Sequence, residues 1–311
     1  MKQKTNTKTE YAFKAVRATG ATCVAVRARD GVVLVAPRKP ADSLVDPASL
    51  TRLLRVTKFV GALLTGPPAD CRAVIQQLRQ QAADFRFQNG YEPPVDALAR
   101  ILADRAQVYT QHAYMRPLAV VTLLCGVDEE RGPLLYKSDP AGYFAGHKAA
   151  AVGAKEVEAT SALEKKVRAA YGAPGGGLKA GAARGGAGGE ADDDDDEADE
   201  SAARRRAAAG GPKGFSYEEA LHVAVGTLQS VMGEEFKASE IEVGVVRASE
   251  APSAVAAAAA AAAGGGGGGA FGGVLAADGG TAAALGPDLP PFRVLSNEEV
   301  DAALVAISER D

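Results

Sequence analysis

The sequence predicts an α+β fold in which packed antiparallel sheets are covered by helices. Apolar periodicity indicates two β-hairpins, two helices, three strands, two helices, two strands and a final helix, in that order. A parallel βαβ repeat would alternate strands with helices, and an all-β protein would lack the helical segments, so neither class fits. Of the 311 residues, most lie outside two low-complexity blocks at 172–214 and 251–290, which favours one domain.

The first half of the chain supplies the hairpins and a pair of helices. Residues 29–31 (Arg-Asp-Gly) form a predicted turn between the apolar segments 21–27 and 32–36, and the segments 53–57 and 59–65 form a second pair. Prolines 67 and 68 then end the strand and begin a helix. Helical spacing follows at residues 69–87 and 95–108.

The second half supplies the remaining elements. Three strands are predicted first, at residues 118–127, 134–137 and 143–151. Capping boxes that begin with Ser216 and Ser296 open two of the three later helices. The other elements are a helix at 156–169, the capped helix at 217–231, strands at 241–246 and 292–295, and the capped C-terminal helix.

The low-complexity blocks are expected to be disordered insertions, because they carry too little apolar surface to offset the entropy lost on ordering. Within the first block, the aspartates at 192–196 suit a basic partner, and the arginines at 204–206 suit a nuclear import signal. The plainer alternative is a solvated loop. The second block is expected to interrupt a hairpin formed by the two late strands.

Composition argues against several classes of protein. A net charge of −4 is unusual for a nucleic-acid binder, and no apolar run approaches the roughly 20 residues that span a membrane. No P-loop is present, and the one cluster of carboxylates lies in the first low-complexity block, so no cofactor or metal is expected. The three histidines lie in different elements, and Cys23 and Cys125 lie in apolar strands, so no catalytic nucleophile is predicted.

One block of the chain carries a recognisable order of small motifs. It contains Tyr109 and Gln111, the pair Arg116 and Pro117, an apolar strand with an acidic turn, and an Asp-Pro-x-Gly corner that holds Asp139 and Gly142. In this order and spacing the block resembles the alpha-type subunits of the proteasome core particle. Four further stretches, at 91–96, 163–166, 239–245 and 292–295, most resemble the alpha type-6 branch of that family.

The resemblance implies a four-layer α/β/β/α sandwich of two antiparallel sheets, similar to the N-terminal nucleophile hydrolases. It also implies a non-catalytic chain. The catalytic relatives use an N-terminal threonine with an aspartate and a lysine. At the aligned positions this chain has Thr22, which is internal, then Arg38, and Leu53 or Leu54.

The partners implied are other alpha subunits in a seven-membered outer ring, the beta subunits, and the C-terminal tails of regulatory particles, in regulated, ubiquitin-dependent protein degradation in cytoplasm and nucleus. Neither nucleic acid nor membrane is expected as a partner. By resemblance, Arg52 and Gly66 belong to the pocket that accepts a tail carboxylate. The alternative for Arg52 is a solvated side chain on a strand edge.

The family pattern differs from this chain at residues 1–9, which we expect to be an atypical tail. The family's gate-forming segment and the start of its first helix are missing or replaced there, so we expect poor gate closure, and we attribute the difference to the gene model. Two other functions stay open: an independent N-terminal-nucleophile amidohydrolase, and an interaction protein that uses the acidic insertion. Particle size distinguishes a ring subunit from both.

Overall fold

Two five-stranded antiparallel sheets form the centre of the molecule. The computed structural model describes residues 2–39, 42, 44–128, 130–171, 214–248 and 291–308. The first sheet has the strand order β10-β9-β2-β1-β8 and the second has the order β3-β4-β5-β6-β7. The strands are β1 (Thr22–Arg27), β2 (Gly31–Pro37), β3 (Leu53–Arg55), β4 (Gly61–Thr65), β5 (Val121–Asp128), β6 (Gly132–Ser138), β7 (Phe144–Gly146), β8 (Ala149–Gly153), β9 (Ile241–Arg247) and β10 (Arg293–Val294).

Six α-helices lie within the described part of the chain. They are α1 (Lys2–Ala18), α2 (Pro68–Asn89), α3 (Val95–Gln111), α4 (Glu156–Tyr171), α5 (Tyr217–Met232) and α6 (Asn297–Ser308). Both predicted capping boxes are present: Glu219 N donates to Ser216 Oγ at 3.3 Å, and Glu299 N donates to Ser296 Oγ at 3.3 Å.

Three apolar cores separate four layers, which confirms the predicted α/β/β/α sandwich. The first sheet packs on α4, α5 and α6 through side chains such as Leu228. The two sheets face each other across a core that includes Leu34 and Leu123. The second sheet packs on α2 and α3 through Leu78 and Leu98. Each sheet therefore buries both faces, which explains its nearly continuous apolar strands.

The predicted strand at 143–151 is wrong in one respect, because the chain changes sheet within it. Phe144–Gly146 pairs with β6 in the second sheet, whereas Ala149–Gly153 pairs with β1 in the first. The change falls between two adjacent residues: His147 N donates to Leu135 O at 2.8 Å, and Lys148 O accepts from Arg27 N at 2.8 Å. Periodicity alone carries no signal for such a crossing.

Helix α1 includes most of the segment expected to be an atypical tail. Its residues Ala12 and Val16 are buried against the core between the sheets. Lys8 Nζ donates to the carbonyl oxygens of His112, Ala113 and Met115, just after α3, at 2.9 to 3.2 Å. These tertiary contacts stabilise α1. The predicted order of elements, which began with the first hairpin, was wrong in leaving this helix out.

The strands on either side of the second low-complexity block do pair, as predicted: Arg293 lies opposite Val245 in an antiparallel register. Apart from Gly214, the insertions expected at 172–214 and 251–290, with their acidic and arginine runs, lie outside the described residues.

Candidate functional site

The candidate site lies at the open end of the β3–β4 hairpin. Arg52 immediately precedes β3, and its carbonyl accepts a hydrogen bond from Leu64 N at 3.1 Å. Gly66 immediately follows β4. Antiparallel pairing therefore brings both residues to the same end of the hairpin, where α2 begins.

The Arg52 side chain is half-buried and held in place by one hydrogen bond. Its Nη1 donates to Pro37 O, at the end of β2, at 2.7 Å. Among the ion pairs of the described residues none includes Arg52. Since a guanidinium carries five N–H donors, the remaining ones are available to an external carboxylate.

Gly66 allows the backbone to pass very close to the segment that leads into β5. A Cβ atom at this position would lie 2.1 Å from Ala119 O, which is far inside a normal contact. Any side chain at position 66 would therefore push the hairpin end away from residue 119. The glycine keeps this part of the site compact and leaves its backbone accessible.

Glu242 is a buried carboxylate behind Arg52. It lies in β9, is only 5% exposed, and accepts a hydrogen bond from Thr51 Oγ1 at 2.8 Å. Arg38 Nε lies 3.6 Å from its other carboxylate oxygen, and the Arg52 backbone also hydrogen-bonds to it. Glu242 therefore fixes the residue before Arg52 and the Arg52 main chain itself.

Arg38 links this carboxylate to the connection between β2 and β3. Its Nε donates to Pro47 O at 2.6 Å and to Leu50 O at 3.1 Å. The residue aligned with the catalytic aspartate of relatives thus has a positive side chain that holds a loop. Burial raises the pKa of Glu242, and the hydrogen bond from Thr51 and the charge of Arg38 counteract that rise.

The internal threonine aligned with the catalytic nucleophile is completely buried. Thr22 pairs with Gly153 across β1 and β8, and its Oγ1 accepts a hydrogen bond from Lys155 N at 3.1 Å. Its amine is part of a peptide bond. Leu53, near the position of the catalytic lysine, belongs to the core between the sheets. This arrangement offers neither a free amine nor an accessible hydroxyl.

Two thiols near Arg52 are also unsuited to catalysis. Burial raises the pKa of Cys23 to about 11, although the Arg52 charge lowers it in part. Burial likewise raises the pKa of Cys71 to about 11. Both thiols are therefore protonated at neutral pH and are poor nucleophiles.

The Arg116–Pro117 motif holds the segment that leads into β5. Arg116 forms a two-fold ion pair with Asp70 at the start of α2, with both N···O distances at 2.7 Å. Asp70 is only 4% exposed and also accepts from Ala119 N at 3.0 Å. The hydrogen bonds from Arg116 are the main reason that the pKa of Asp70 is lowered.

The Asp-Pro-x-Gly motif forms a corner that rests on α3. Asp139 Oδ1 accepts from the N–H groups of Ala141 and Tyr143, each at 2.9 Å. Gly142 has φ = +89°, and a Cβ there would lie 2.7 Å from Gln107 Cβ. Glycine alone tolerates both the positive φ and the close approach to Gln107.

Two other motif residues lie on α3. Tyr109 lines the same small cavity as Asp139, whereas Gln111 is exposed at the last turn of the helix. The motif residues therefore form two structural supports on the second sheet, and they are not one chemical site.

The described residues hold no group of three or more His, Cys, Asp or Glu side chains that is arranged to bind a metal ion. Within the same part of the chain, no helix combines the length and apolar character needed to cross a membrane.

Sequence reasoning missed three residues that support the site: Thr51, Asp70 and Glu242. Glu242 carried a signal, because it is a charged residue within an apolar strand. Thr51 and Asp70 carried none, since a polar residue before a strand or in the first turn of a helix is common.

Comparison with known proteins gives a consistent result. A family profile described as proteasome subunit matches residues 18–172. The probable proteasome subunit alpha type-1 of Schizosaccharomyces pombe is 30% identical over 302 residues, which cover 97% of this chain and 91% of the relative. Proteasome subunit alpha type-6 of Caenorhabditis elegans is 40% identical over 159 residues, which cover 51% of this chain and 65% of the relative.

An archaeal relative matches a similar share of the chain. Proteasome subunit alpha of Methanopyrus kandleri is 34% identical over 159 residues, which cover 51% of this chain and 64% of the relative. The shorter matches thus span slightly less than two thirds of their relatives, whereas the yeast match spans nearly the whole of both chains.

Proposed function

Because this chain belongs to the proteasome subunit family as an alpha-type member, we propose that its Arg52 site binds the C-terminal carboxylate of a regulatory tail. The chain is a structural, non-catalytic subunit of the proteasome core particle, and it assembles with other proteasome subunits. The proposal concerns what this particular subunit offers to a regulator.

The observation that carries the proposal is the unpaired guanidinium of Arg52. It is oriented by Pro37 O, it is half-buried, and among the described residues it has no ion-pair partner. A half-buried cation that is already positioned loses little entropy when it binds a carboxylate. Gly66 adds accessible backbone at the same end of the hairpin.

We further propose that the chain occupies a seven-membered outer ring that contacts a ring of beta subunits, in cytoplasm and nucleus. There it supports the regulated, ubiquitin-dependent degradation of proteins. The support for this finer assignment is the family membership together with the likeness to alpha type-6.

A carboxylate-dependent crosslink tests the tail site. Core particles containing this chain are incubated with a regulator-tail peptide that carries a photoreactive group and a free C-terminus, and the yield of crosslinked chain is measured. Arg52→Ala should weaken apparent binding about tenfold or more, because a hydrogen-bonded ion contributes about 1.5–3 kcal/mol.

Two controls separate charge from shape. Arg52→Lys keeps the charge but loses the planar fork, so binding should be intermediate. The same peptide with a C-terminal amide should bind wild type and Arg52→Ala equally weakly. Unchanged crosslinking of the acid peptide in Arg52→Ala would refute the proposal.

A further inference from the structure

A small cavity lies between the second sheet and the two helices that cover it, α2 and α3. Its volume, counted as the space open to the centre of a water molecule, is about 20 Å³. One water needs about 10–15 Å³ by the same count, so the cavity has room for a water and is too small for a cofactor or a peptide. We call it the helix–sheet cavity. Its lining is partly aliphatic, and its polar members are Gln77, Tyr109, Thr122, Ser138 and Asp139.

Two buried hydroxyl groups lie on the sheet side of the helix–sheet cavity. Thr122 in β5 is directly opposite Ser138 in β6, so their side chains lie on the same face of the sheet. Thr122 alternates with Val120 and Leu124, which belong to the core against α2 and α3. The shared face is therefore the one that the helices cover. Thr122 is 1% exposed and Ser138 is 3% exposed.

Neither hydroxyl group has a partner within the part of the chain that the structure describes. No hydrogen bond between described residues includes the side chain of Thr122 or of Ser138. A buried hydroxyl without a partner is unfavourable, and most such groups in proteins bond to another protein group or to ordered water. Both residues line the cavity, so a partner can reach them from there.

The separation of the two side chains suits a single bridging molecule. Directly opposite residues on one face of an antiparallel pair have Cβ atoms about 4.5–5.5 Å apart. A hydrogen bond between two oxygen atoms is about 2.7–2.8 Å long, so one oxygen between the side chains can bond to both. Each hydroxyl can donate or accept, which leaves the bridging molecule free to do either.

Further polar groups border the cavity from the helix side. Gln77 on α2 and Tyr109 on α3 are half-buried, and neither side chain is hydrogen-bonded to another described residue. Asp139 adds a carboxylate whose Oδ1 already accepts the two bonds of its corner. A buried water typically makes about three hydrogen bonds, and these groups can supply the third.

From these features we propose that the helix–sheet cavity binds one ordered water molecule, which bridges the hydroxyl groups of Thr122 and Ser138 and bonds to a polar side chain on the opposite wall. The water completes the hydrogen bonding of β5 and β6 on their helix-covered face. Tyr109 and Asp139, two residues of the block that carries the family resemblance, both border it. The proposal does not depend on tail binding at Arg52.

Two other states of the cavity fit these observations less well. Cavities that stay dry are lined by apolar groups, whereas this one has buried hydroxyl groups on its floor. A metal ion such as Ca²⁺ or Mg²⁺ prefers several oxygen ligands with carboxylates among them. Asp139 is the one carboxylate of the lining, and the described residues hold no group of three or more side chains suited to a metal.

A structure of the assembled core particle that resolves ordered waters tests the proposal directly. We expect one density peak at about 2.5–3.0 Å from both hydroxyl oxygens. No peak in the cavity, while buried waters are visible elsewhere in the same chain, would overturn the proposal. A peak at less than about 2.4 Å from its oxygen neighbours would also overturn it, because such distances are those of a metal ion.

The sign of a stability change provides the second measurement. Thr122→Val keeps the side-chain shape but removes one partner of the water, so the Tm of the full chain should fall by about 2–4 °C. The matched control is Thr227→Val on α5, because the Thr227 hydroxyl is completely enclosed and has no partner among the described residues. Its removal should leave the Tm unchanged or raise it. An unchanged or raised Tm in Thr122→Val, or an equal fall in both variants, would contradict the proposal.

A double variant tests whether one water serves both hydroxyl groups. Ser138→Ala should also lower the Tm, because the same water loses its other partner on the sheet. If the water is shared, Thr122→Val/Ser138→Ala should lower the Tm by less than the sum of the two single shifts, since the first change already disrupts the bridge. Additive shifts would contradict a single bridging water.

Discussion

Individual residues in this protein are held by polar contacts that cross between elements. Glu242 is the clearest example, because a carboxylate in β9 fixes Thr51 and the Arg52 backbone next to the β3–β4 hairpin. Asp70 plays a comparable part for the entry to β5. The sequence shows which side chains can accept or donate hydrogen bonds, but the fold decides which of them meet.

The pH dependence of stability should reveal the cost of burying Glu242. Its folded pKa is raised above the ordinary 4.5, mainly by burial, so the folded state binds this proton more tightly than the unfolded state does. The contribution of Glu242 to stability is therefore greatest below pH 4.5 and declines as the pH rises through the folded pKa. Glu242→Gln lacks this decline.

Urea unfolding of the wild type and Glu242→Gln, from below pH 4.5 to neutrality, measures the effect. The difference in free energy of unfolding should move in favour of the glutamine variant as the pH rises. A difference that stays constant with pH would show that Glu242 titrates as an ordinary exposed glutamate.

Loss of Arg116 should expose the dependence of Asp70 on its partner. Arg116→Ala removes the main cause that lowers the pKa of Asp70, so burial then dominates and that pKa rises. Stability at neutral pH should fall by about 1–3 kcal/mol, because a buried carboxylate keeps only one donor, Ala119 N. NMR titration of Asp70 and urea unfolding measure the two effects.

Arg116→Lys is the matched control for that experiment. It keeps a positive charge near Asp70 but cannot make the two parallel bonds, so both effects should be smaller. Since the wild-type pKa is below the ordinary 3.8, the wild-type ion pair should be lost only as the pH falls through that lowered pKa. An unchanged acid transition in Arg116→Ala would contradict this account.

At the scale of elements, short segments hold the two sheets together. Strand β10 has only two residues, but Phe292 just before it inserts its ring between the sheets. A Cβ at Gly61 in β4 would lie 2.1 Å from that ring, and one at Gly244 in β9 would lie 2.9 Å from it. The two glycines leave the space that the ring fills.

Truncation of Phe292 should therefore be costly. Phe292→Ala should lower the free energy of unfolding by about 3–5 kcal/mol, because a buried ring is lost and the two glycines cannot fill the cavity. Phe87→Ala is a matched control, since that ring is exposed, and it should change stability by less than about 0.5 kcal/mol. Chemical denaturation of the full chain gives both values; similar values for the two variants would contradict the role of Phe292.

At the scale of the whole molecule, a sandwich like that of the N-terminal nucleophile hydrolases serves as a structural, non-catalytic subunit. The family relationship and the burial of Thr22 agree on this point. The four layers are intact, and Ala12 and Val16 of α1 pack into the core between the two sheets. At this scale the function of the chain is to assemble with other proteasome subunits.

A change at Thr22 should leave the chemistry of the particle unaffected. Thr22→Ala removes the acceptor for Lys155 N and should cost about 1 kcal/mol of stability. Core particles that contain the variant should keep wild-type peptidase activity and should migrate on native gels with the wild-type particle, at hundreds of kilodaltons. Selective loss of activity in correctly assembled particles would contradict the non-catalytic assignment.

The sequence alone predicted the order of the elements after α1, apart from the division of β7 from β8, together with the two capping boxes and the pairing of the strands that flank the second insertion. The elements and their caps depend on periodicity and on motifs a few residues long, which are encoded within a window of the chain. The pairing across the insertion followed from treating 251–290 as an interruption of a hairpin. The sequence also shows that Thr22 is internal. Its amine is therefore part of a peptide bond and cannot act as a free amine.

Only the tertiary structure decided where the chain changes sheet, how α1 packs, and what surrounds Arg52. The chain changes sheet between His147 and Lys148, because His147 hydrogen-bonds to β6 in the second sheet and Lys148 hydrogen-bonds to β1 in the first. Glu242 supports the site from 190 positions after Arg52, and Lys8 reaches carbonyls more than 100 residues away. Contacts of this range follow from the packing of whole layers, so no local pattern in the sequence predicts them.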